Sequence, residues 1–173
     1  MTTVPGDPAS LSACGRTVRE AARGLEDDAT GVRTAYRELG EGWAGRTSAM
    51  ARRAGADLAE QVSLTGFELD RVGRVLQDHA TDLADLVARA RAIEERAGAA
   101  GLEVRDGRVE QAWGVTGAAD AGADREREHA RAALQADLDL VLAQHRRRRD
   151  WVLEVLRDST TALVEVSRNL RGG

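Results

Sequence analysis

Apolar positions between residues 8 and 40 recur with the period of an α-helix. The steps between them alternate between three and four residues, which places these side chains on one side of a helix. Asp7 and Pro8 are typical of a helix start, with aspartate as the N-cap and proline at the first helical position. The pattern therefore predicts a helix from Pro8 to Gly40, where the backbone can turn left-handed. Residues 1–6 are expected to form a loose terminus.

A second helical stripe begins near Arg46 and continues to about Ala97. The stripe is loose at its start and becomes regular from Thr65 onward, again with steps of three and four residues. A repeat sustained over this length implies coiled-coil-like packing against at least one partner helix. A helix of about 50 residues spans roughly 75 Å, because each residue adds about 1.5 Å.

Residues 98–123 interrupt the helical pattern. Asp106-Gly107 is a strong two-residue turn signal, and it is flanked by the β-type side chains of Leu102, Val104 and Val109. The pattern predicts a small β-hairpin near residues 101–110, followed by a Gly/Ala linker.

A third helical region runs from about Asp124 to Leu170. Four consecutive arginines, Arg146 to Arg149, fall in its middle and are followed by Asp150. Arginine is a good helix former, so the run need not break the helix. A bend between Arg146 and Asp150 remains an open alternative.

These elements predict an all-α fold with a small β insert. The lengths favour an elongated antiparallel helical bundle, in which a helical hairpin packs against one long C-terminal helix that is either continuous or segmented. The expected organisation is a hairpin over residues 1–97, the β-hairpin and linker over 98–123, and the last helix over 124–173. All three parts are expected to form one structural domain.

Charge and composition exclude several function classes. The net charge is −4, and all 25 basic residues are arginine, a bias that suggests a GC-rich genome. The acidic balance argues against nucleic-acid binding. The sequence has no apolar run long enough to span a membrane and no Sec-type signal. The Arg146–Arg149 run keeps a nucleic-acid-associated coiled coil as an alternative, although consecutive helical residues point about 100° apart.

No catalytic constellation can be assembled from the sequence. Paired carboxylates, a Ser/His/Asp set, a Cys/His set and a phosphate-binding Gly-rich loop are all missing. The chain is therefore expected to be non-enzymatic, with no cofactor and no metal. The single cysteine, Cys14, is expected to be a small buried thiol on the apolar side of the first helix.

His79 and His145 both fall on apolar stripes, at comparable distances from the predicted β-hairpin. An antiparallel arrangement of their helices would bring them into one layer. A buried polar layer fixes the register of a bundle. It would also make the fold sensitive to pH near the histidine pKa. A metal site needs more ligands than these two side chains supply.

Trp43-Ala44-Gly45 lies between the first two helices. An aromatic corner next to a conformationally free glycine is typical of a compact αα-hairpin. Several apolar positions on the first helix would then form a seam that buries against a partner chain: Leu11, Val18, Leu25, Val32 and Leu39.

With this turn, a long second helix and the segment Ala100 to Val109, the chain resembles the Trp-x-Gly (WxG) family of helical-hairpin proteins handled by type VII (ESX) secretion, in its long actinobacterial form. The resemblance implies homo- or heterodimeric four-helix bundles without enzymatic activity. The partner would be another Trp-x-Gly chain, a toxin chain or a second copy. It also implies a protein that is cytoplasmic before export and secreted without a Sec signal.

The export signal departs from the family pattern. Many members carry Tyr-x-x-x-Asp/Glu after the second helix, whereas the only tyrosine here is Tyr36, before the turn, with Gly40 in the place of the acid. A partner chain would then supply the signal. The alternative is a cytoplasmic chaperone or an immunity-type binder of a neighbouring secreted toxin.

Overall fold

The computed structural model describes residues 3–42, 45–112 and 121–172. Within them lie three long α-helices and one antiparallel pair of short strands. The elements are α1 (Pro8–Gly42), α2 (Arg46–Ala99), β1 (Leu102–Arg105), β2 (Arg108–Gln111) and α3 (Ala121–Gly172). The predicted all-α class with a small β-hairpin is confirmed.

Several helix ends lie a few residues away from the predicted ones. Helix α1 begins at Pro8 as predicted but continues through Gly40 to Gly42. A glycine inside a helix costs only about 1 kcal/mol relative to alanine, so it does not by itself end one. The left-handed residue is instead Gly45, with φ of +123°. Trp43 and Ala44 lie outside the described residues.

Helix α3 is continuous through the arginine run. It starts at Ala121, slightly before the predicted Asp124, and passes Arg146 to Arg149 without a break. The open question of a bend there is settled in favour of one helix, as expected from the helix propensity of arginine. Trp113 and most of the predicted linker, residues 113–120, lie outside the described residues.

The β-hairpin turns at Asp106 and Gly107. Both residues have positive φ, +51° and +77°, the geometry of a type I′ turn that matches the twist of the strands. Two strands alone are marginally stable in water. Here Gln135 of α3 stabilises them, because its side chain accepts the N–H of Val109 at 2.7 Å and donates to the carbonyl of Gly107 at 3.2 Å.

The contacts within the chain group into two compact units. The first, which we call the β unit, comprises Met1–Pro8 and His79–Trp151. The second, the α1 unit, comprises Ala9–Asp78 and Val152–Gly173. Helices α2 and α3 each contribute residues to both units. In the described part of the chain, no helix combines the length and apolarity that a membrane span requires.

In the β unit, α2 and α3 run antiparallel around a core of leucine, isoleucine and valine. Ion pairs join Arg96 to Asp137 at 3.0 Å and Arg148 to Asp82 at 2.8 Å. The largest buried core side chains on the two helices are Leu83, Leu86, Ile93, Leu134, Leu138 and Val141.

The N-terminal segment also belongs to this core, so the prediction of a loose terminus is wrong. Val4 is only 1% exposed, and Thr3 donates a hydrogen bond to the carboxylate of Glu94. Gly6 has φ of +119°, and a Cβ there would lie 2.9 Å from Leu83 Cδ2. A single buried valine is too short a signal to show any periodicity, so the sequence pattern could not reveal this segment.

Replacing Val4 by aspartate tests this packing. We expect the free energy of unfolding of the β unit to fall by about 2–3 kcal/mol, because a fully buried valine contributes about that much. The same substitution at Val164, which is 43% exposed, is the matched control and should change stability by less than about 0.5 kcal/mol. Urea unfolding measures both variants, and equal effects would contradict the buried position of Val4.

In the α1 unit, α1 and α2 form an antiparallel helical hairpin with a seam of small residues. A Cβ on Gly73 would lie 2.7 Å from the carbonyl oxygen of Gly15, so the two backbones touch there. Arg19 extends this contact with bonds to Asp70 at 3.1 Å and to Gln77 at 3.0 Å. The remaining buried seam residues are also small: Ala22, Ala29, Ala59, Gly55 and Gly66.

Candidate functional site

The predicted seam of α1 lies beside the helix contact. Leu11, Val18, Leu25 and Val32 are half-buried, while Leu39 is 56% exposed. Gly15 and Ala22 instead contact α2, at Gly73 and Gly66, and Ala29, one heptad further along α1, is fully buried. Small residues occupy this strip because they alone allow the backbones to approach so closely. The larger seam residues are displaced to one side.

Cys14 is exposed, so the prediction of a buried thiol is wrong. The centre of the helix contact is Gly15, which lies directly under α2. Its neighbour Cys14 points about 100° away from it around the helix. The three-four pattern contained Cys14 and not Gly15, whereas the close approach of Gly15 to Gly73 turns Gly15 toward α2.

Gly45, the described part of the predicted turn, is exposed. Its carbonyl accepts the N–H of Ala49 at 3.1 Å, which begins the hydrogen bonding of α2. Trp43 lies outside the described residues, so its predicted role at the corner stays a prediction.

Helix α2 carries large apolar side chains on its outer side. Phe67, the only phenylalanine of the chain, is 62% exposed, and Leu64, one turn earlier, is 44% exposed. The two residues are three positions apart and therefore share a helix side. We call this pair the Phe67 surface. Sequence periodicity missed it because Phe67 lies off the main stripe. Aromatic residues make up only 3% of the chain, and this scarcity could have drawn attention to its single phenylalanine.

A shallow pocket of about 240 Å³ adjoins Phe67 between α1 and α2. Ala22 and Gly66 line its floor, and Arg23, Glu26 and Asp70 are among the lining residues that supply charge. An apolar centre with charges of both signs at the edge is the usual composition of a protein–protein contact.

The β unit brings the two predicted histidines together. His79 and His145 are 8% and 7% exposed, and His79 is among the neighbours that lower the pKa of His145. The ring of His145 donates a hydrogen bond to the carbonyl of Pro5. His79 Nδ1 is buried without a hydrogen-bond partner in the described part of the chain.

Burial lowers the pKa of both histidines below the ordinary value of 6.5. For His79, the carboxylate of Asp82 opposes this effect and Arg148 adds to it. For His145, Arg149 and the neighbouring His79 lower the pKa further, and the Pro5 carbonyl opposes them. The neutral form of both rings is therefore favoured in the folded chain.

Two histidines do not make a metal centre. Zinc sites in proteins use three or four protein ligands, and the described residues contain no group of three or more His, Cys, Asp or Glu side chains suited to a metal ion. His79 and His145 are buried polar side chains of the β unit.

Compared with models of protein families, with curated proteins and with solved structures, the chain matches none.

Proposed function

We propose that this chain is a non-enzymatic, type VII (ESX) secretion-associated protein that acts through helix–helix recognition. It would be an exported substrate or the helical partner of one. The observation that carries the proposal is the construction of the α1–α2 hairpin. Its two helices pack through glycine and alanine, while Phe67 and Leu64 of the Phe67 surface face outward.

This construction leaves much of the apolar surface of Phe67 and Leu64 exposed, at 62% and 44% of the two residues. Burying apolar surface stabilises an association by roughly 25 cal/mol per Å², and contiguous exposed apolar residues mark interaction sites. Side chains three and four positions apart form the ridges that pack into the grooves of another helix. A second helical hairpin is therefore the partner that fits best: a Trp-x-Gly chain, a toxin chain or another copy of this one.

Replacing Phe67 by aspartate tests recognition. We expect the dissociation constant of the homodimer, or of the complex with the protein encoded beside this chain, to rise about tenfold or more, because a buried phenylalanine contributes about 1.5–3 kcal/mol. Leu140 in the β unit is 64% exposed, so Leu140→Asp is the matched control and should leave association unchanged. Sedimentation velocity measures both. Equal affinities of the two variants would contradict the proposal.

A second candidate function is a cytoplasmic chaperone or immunity-type binder of a neighbouring toxin. Tyr36 favours it, because the only tyrosine lies inside α1 and is followed four residues later by Gly40 instead of an acid. Fractionation separates the two candidates. An exported substrate appears in the culture medium of a host with the secretion system and not in one lacking its ATPase. A chaperone or immunity-type binder stays in the cells of both.

A further inference from the structure

The end of the α1–α2 hairpin nearest the turn carries a pocket that the Phe67 surface does not include. It has a volume of about 260 Å³. Helix α1 contributes Arg33, Tyr36 and Arg37, and helix α2 contributes Arg52 and Ala56. An aromatic ring and three guanidinium groups thus surround one shallow cavity.

Carbon atoms form the floor of this pocket. A Cβ on Gly55 would lie 2.2 Å from Tyr36 Cγ, so the Tyr36 ring sits directly on the backbone of α2, in space that only glycine leaves open. The methyl group of Ala56 and the aliphatic stems of the arginines extend this apolar floor. The floor can therefore receive an aliphatic or aromatic side chain.

The charges of the pocket are only partly compensated. Arg33 is held by Glu26 at 3.3 Å and also donates to the hydroxyl of Ser63. Arg37 and Arg52 form no ion pair or hydrogen bond with any residue in the stretches that the structure describes. Two like charges beside one cavity repel each other, and an anion between them would reverse that repulsion.

We propose that this pocket binds an acidic segment of a partner protein. An apolar side chain of the segment packs on the ring of Tyr36, and neighbouring carboxylates pair with Arg37 and Arg52. Guanidinium groups bind carboxylates in bidentate geometry, which gives the contact its specificity. The inference goes beyond the proposed function, because it concerns a different surface and holds for any protein that presents such a segment.

Two other anions fit less well. A free phosphate ion is polar on all sides and gains nothing from the carbon floor. A nucleic acid is bound by many cationic side chains along its phosphate backbone. This pocket offers only two arginines without an ion pair, Arg37 and Arg52, and the chain as a whole has a net charge of −4. An acidic peptide with one apolar side chain uses both features of the pocket.

Selection from a random heptapeptide library displayed on phage tests the proposal, with the full chain as bait. We expect enriched peptides to combine acidic residues with one aliphatic or aromatic residue. The synthetic form of the most enriched peptide should bind the Arg37→Ala/Arg52→Ala variant about tenfold or more weakly. Arg53→Ala removes an exposed arginine of the same helix that lines another pocket, so it is the matched control and should bind like the wild type.

Tyr36 can report peptide binding in the pocket without ambiguity, because it is the only tyrosine in the chain. Its ring signals in NMR spectra should shift when the selected peptide is added and remain unchanged with inorganic phosphate at the same concentration. Circular dichroism checks that the double arginine variant stays folded. Phe67→Asp should not affect peptide binding, so failure of the proposed function and failure of this inference can be told apart.

Three outcomes would overturn the inference. Selection could enrich peptides without acidic residues or enrich none. The double arginine variant could bind the selected peptide as tightly as Arg53→Ala does. Phosphate could shift the Tyr36 signals as far as the peptide does, which would indicate a simple anion site.

Discussion

Replacing Gly73 by alanine is expected to destabilise the α1 unit by about 2 kcal/mol. The added Cβ would lie 2.3 Å from Arg19 Cγ and 2.7 Å from the carbonyl oxygen of Gly15. The arginine side chain can move aside, but the backbone oxygen can move only if the helices separate. Overpacking of this kind costs about 1–3 kcal/mol, or more where backbone must shift. The higher helix propensity of alanine offsets about 1 kcal/mol of that cost.

Gly24→Ala is the matched control for Gly73→Ala. It is the same substitution inside a helix of the same unit, but a Cβ on Gly24 would meet no atom within 4 Å. At Gly24 the substitution changes only the helix propensity, which is higher for alanine than for glycine. We therefore expect the free energy of unfolding to rise by about 0.5–1 kcal/mol. Urea unfolding of the two variants should therefore give changes of opposite sign. Changes of the same sign would show that α1 and α2 do not approach as closely as the glycine contacts indicate.

The glycines of α1 and α2 also show which feature of the helix contact could not be predicted from the sequence. Gly24 and Gly31 are one heptad apart, and so are Gly66 and Gly73. Both pairs are equally consistent with close helix approach or with the composition of a GC-rich genome. In the structure only the second pair contacts the opposite helix, while Gly24 and Gly31 are open. Which pair is covered depends on how each helix is rotated about its axis, and periodicity does not determine rotation to within one residue.

The secondary structure itself was largely predictable. Helix α1 starts at Pro8 and the strands flank Asp106-Gly107, because caps and two-residue turns depend on local chemistry. The pocket near the turn was less predictable from the sequence. The charged pocket near the turn combines Arg37 of α1 with Arg52 of α2, and neither stands out in the sequence. It depends on Gly55 leaving room for the ring of Tyr36, a tertiary contact with no local signal.

Acidification is expected to destabilise the β unit through His79 and His145. Burial lowers the pKa of both rings in the folded chain, whereas the ordinary value of 6.5 applies when the chain is unfolded. The unfolded chain therefore binds more protons as the pH falls below 6.5. The stabilising effect of the neutral rings is fully present above that pH and is lost below it, toward the lowered pKa values of the folded chain.

Charged side chains near His79 and His145 affect how readily the two rings take up protons. Asp82 stabilises a proton on His79, but it is already paired with Arg148 at 2.8 Å. Arg149 and, more weakly, Arg146 oppose a charge on His145. Protonation of both rings would thus place two cations beside an arginine-rich stretch of α3. Two protons taken up on unfolding give a slope of at most about 2.7 kcal/mol per pH unit.

Urea unfolding between about pH 7.5 and 5.5 measures this slope above the range in which most carboxylates titrate. The wild-type free energy of unfolding should fall across the range, and His79→Gln/His145→Gln should flatten the dependence. His129 is exposed on α3, so His129→Gln is the matched control and should retain the wild-type slope. If the double variant keeps that slope as well, acid sensitivity arises elsewhere, and the buried pair is only a packing contact. If the double variant alone loses it, these two buried rings account for the acid sensitivity of the β unit.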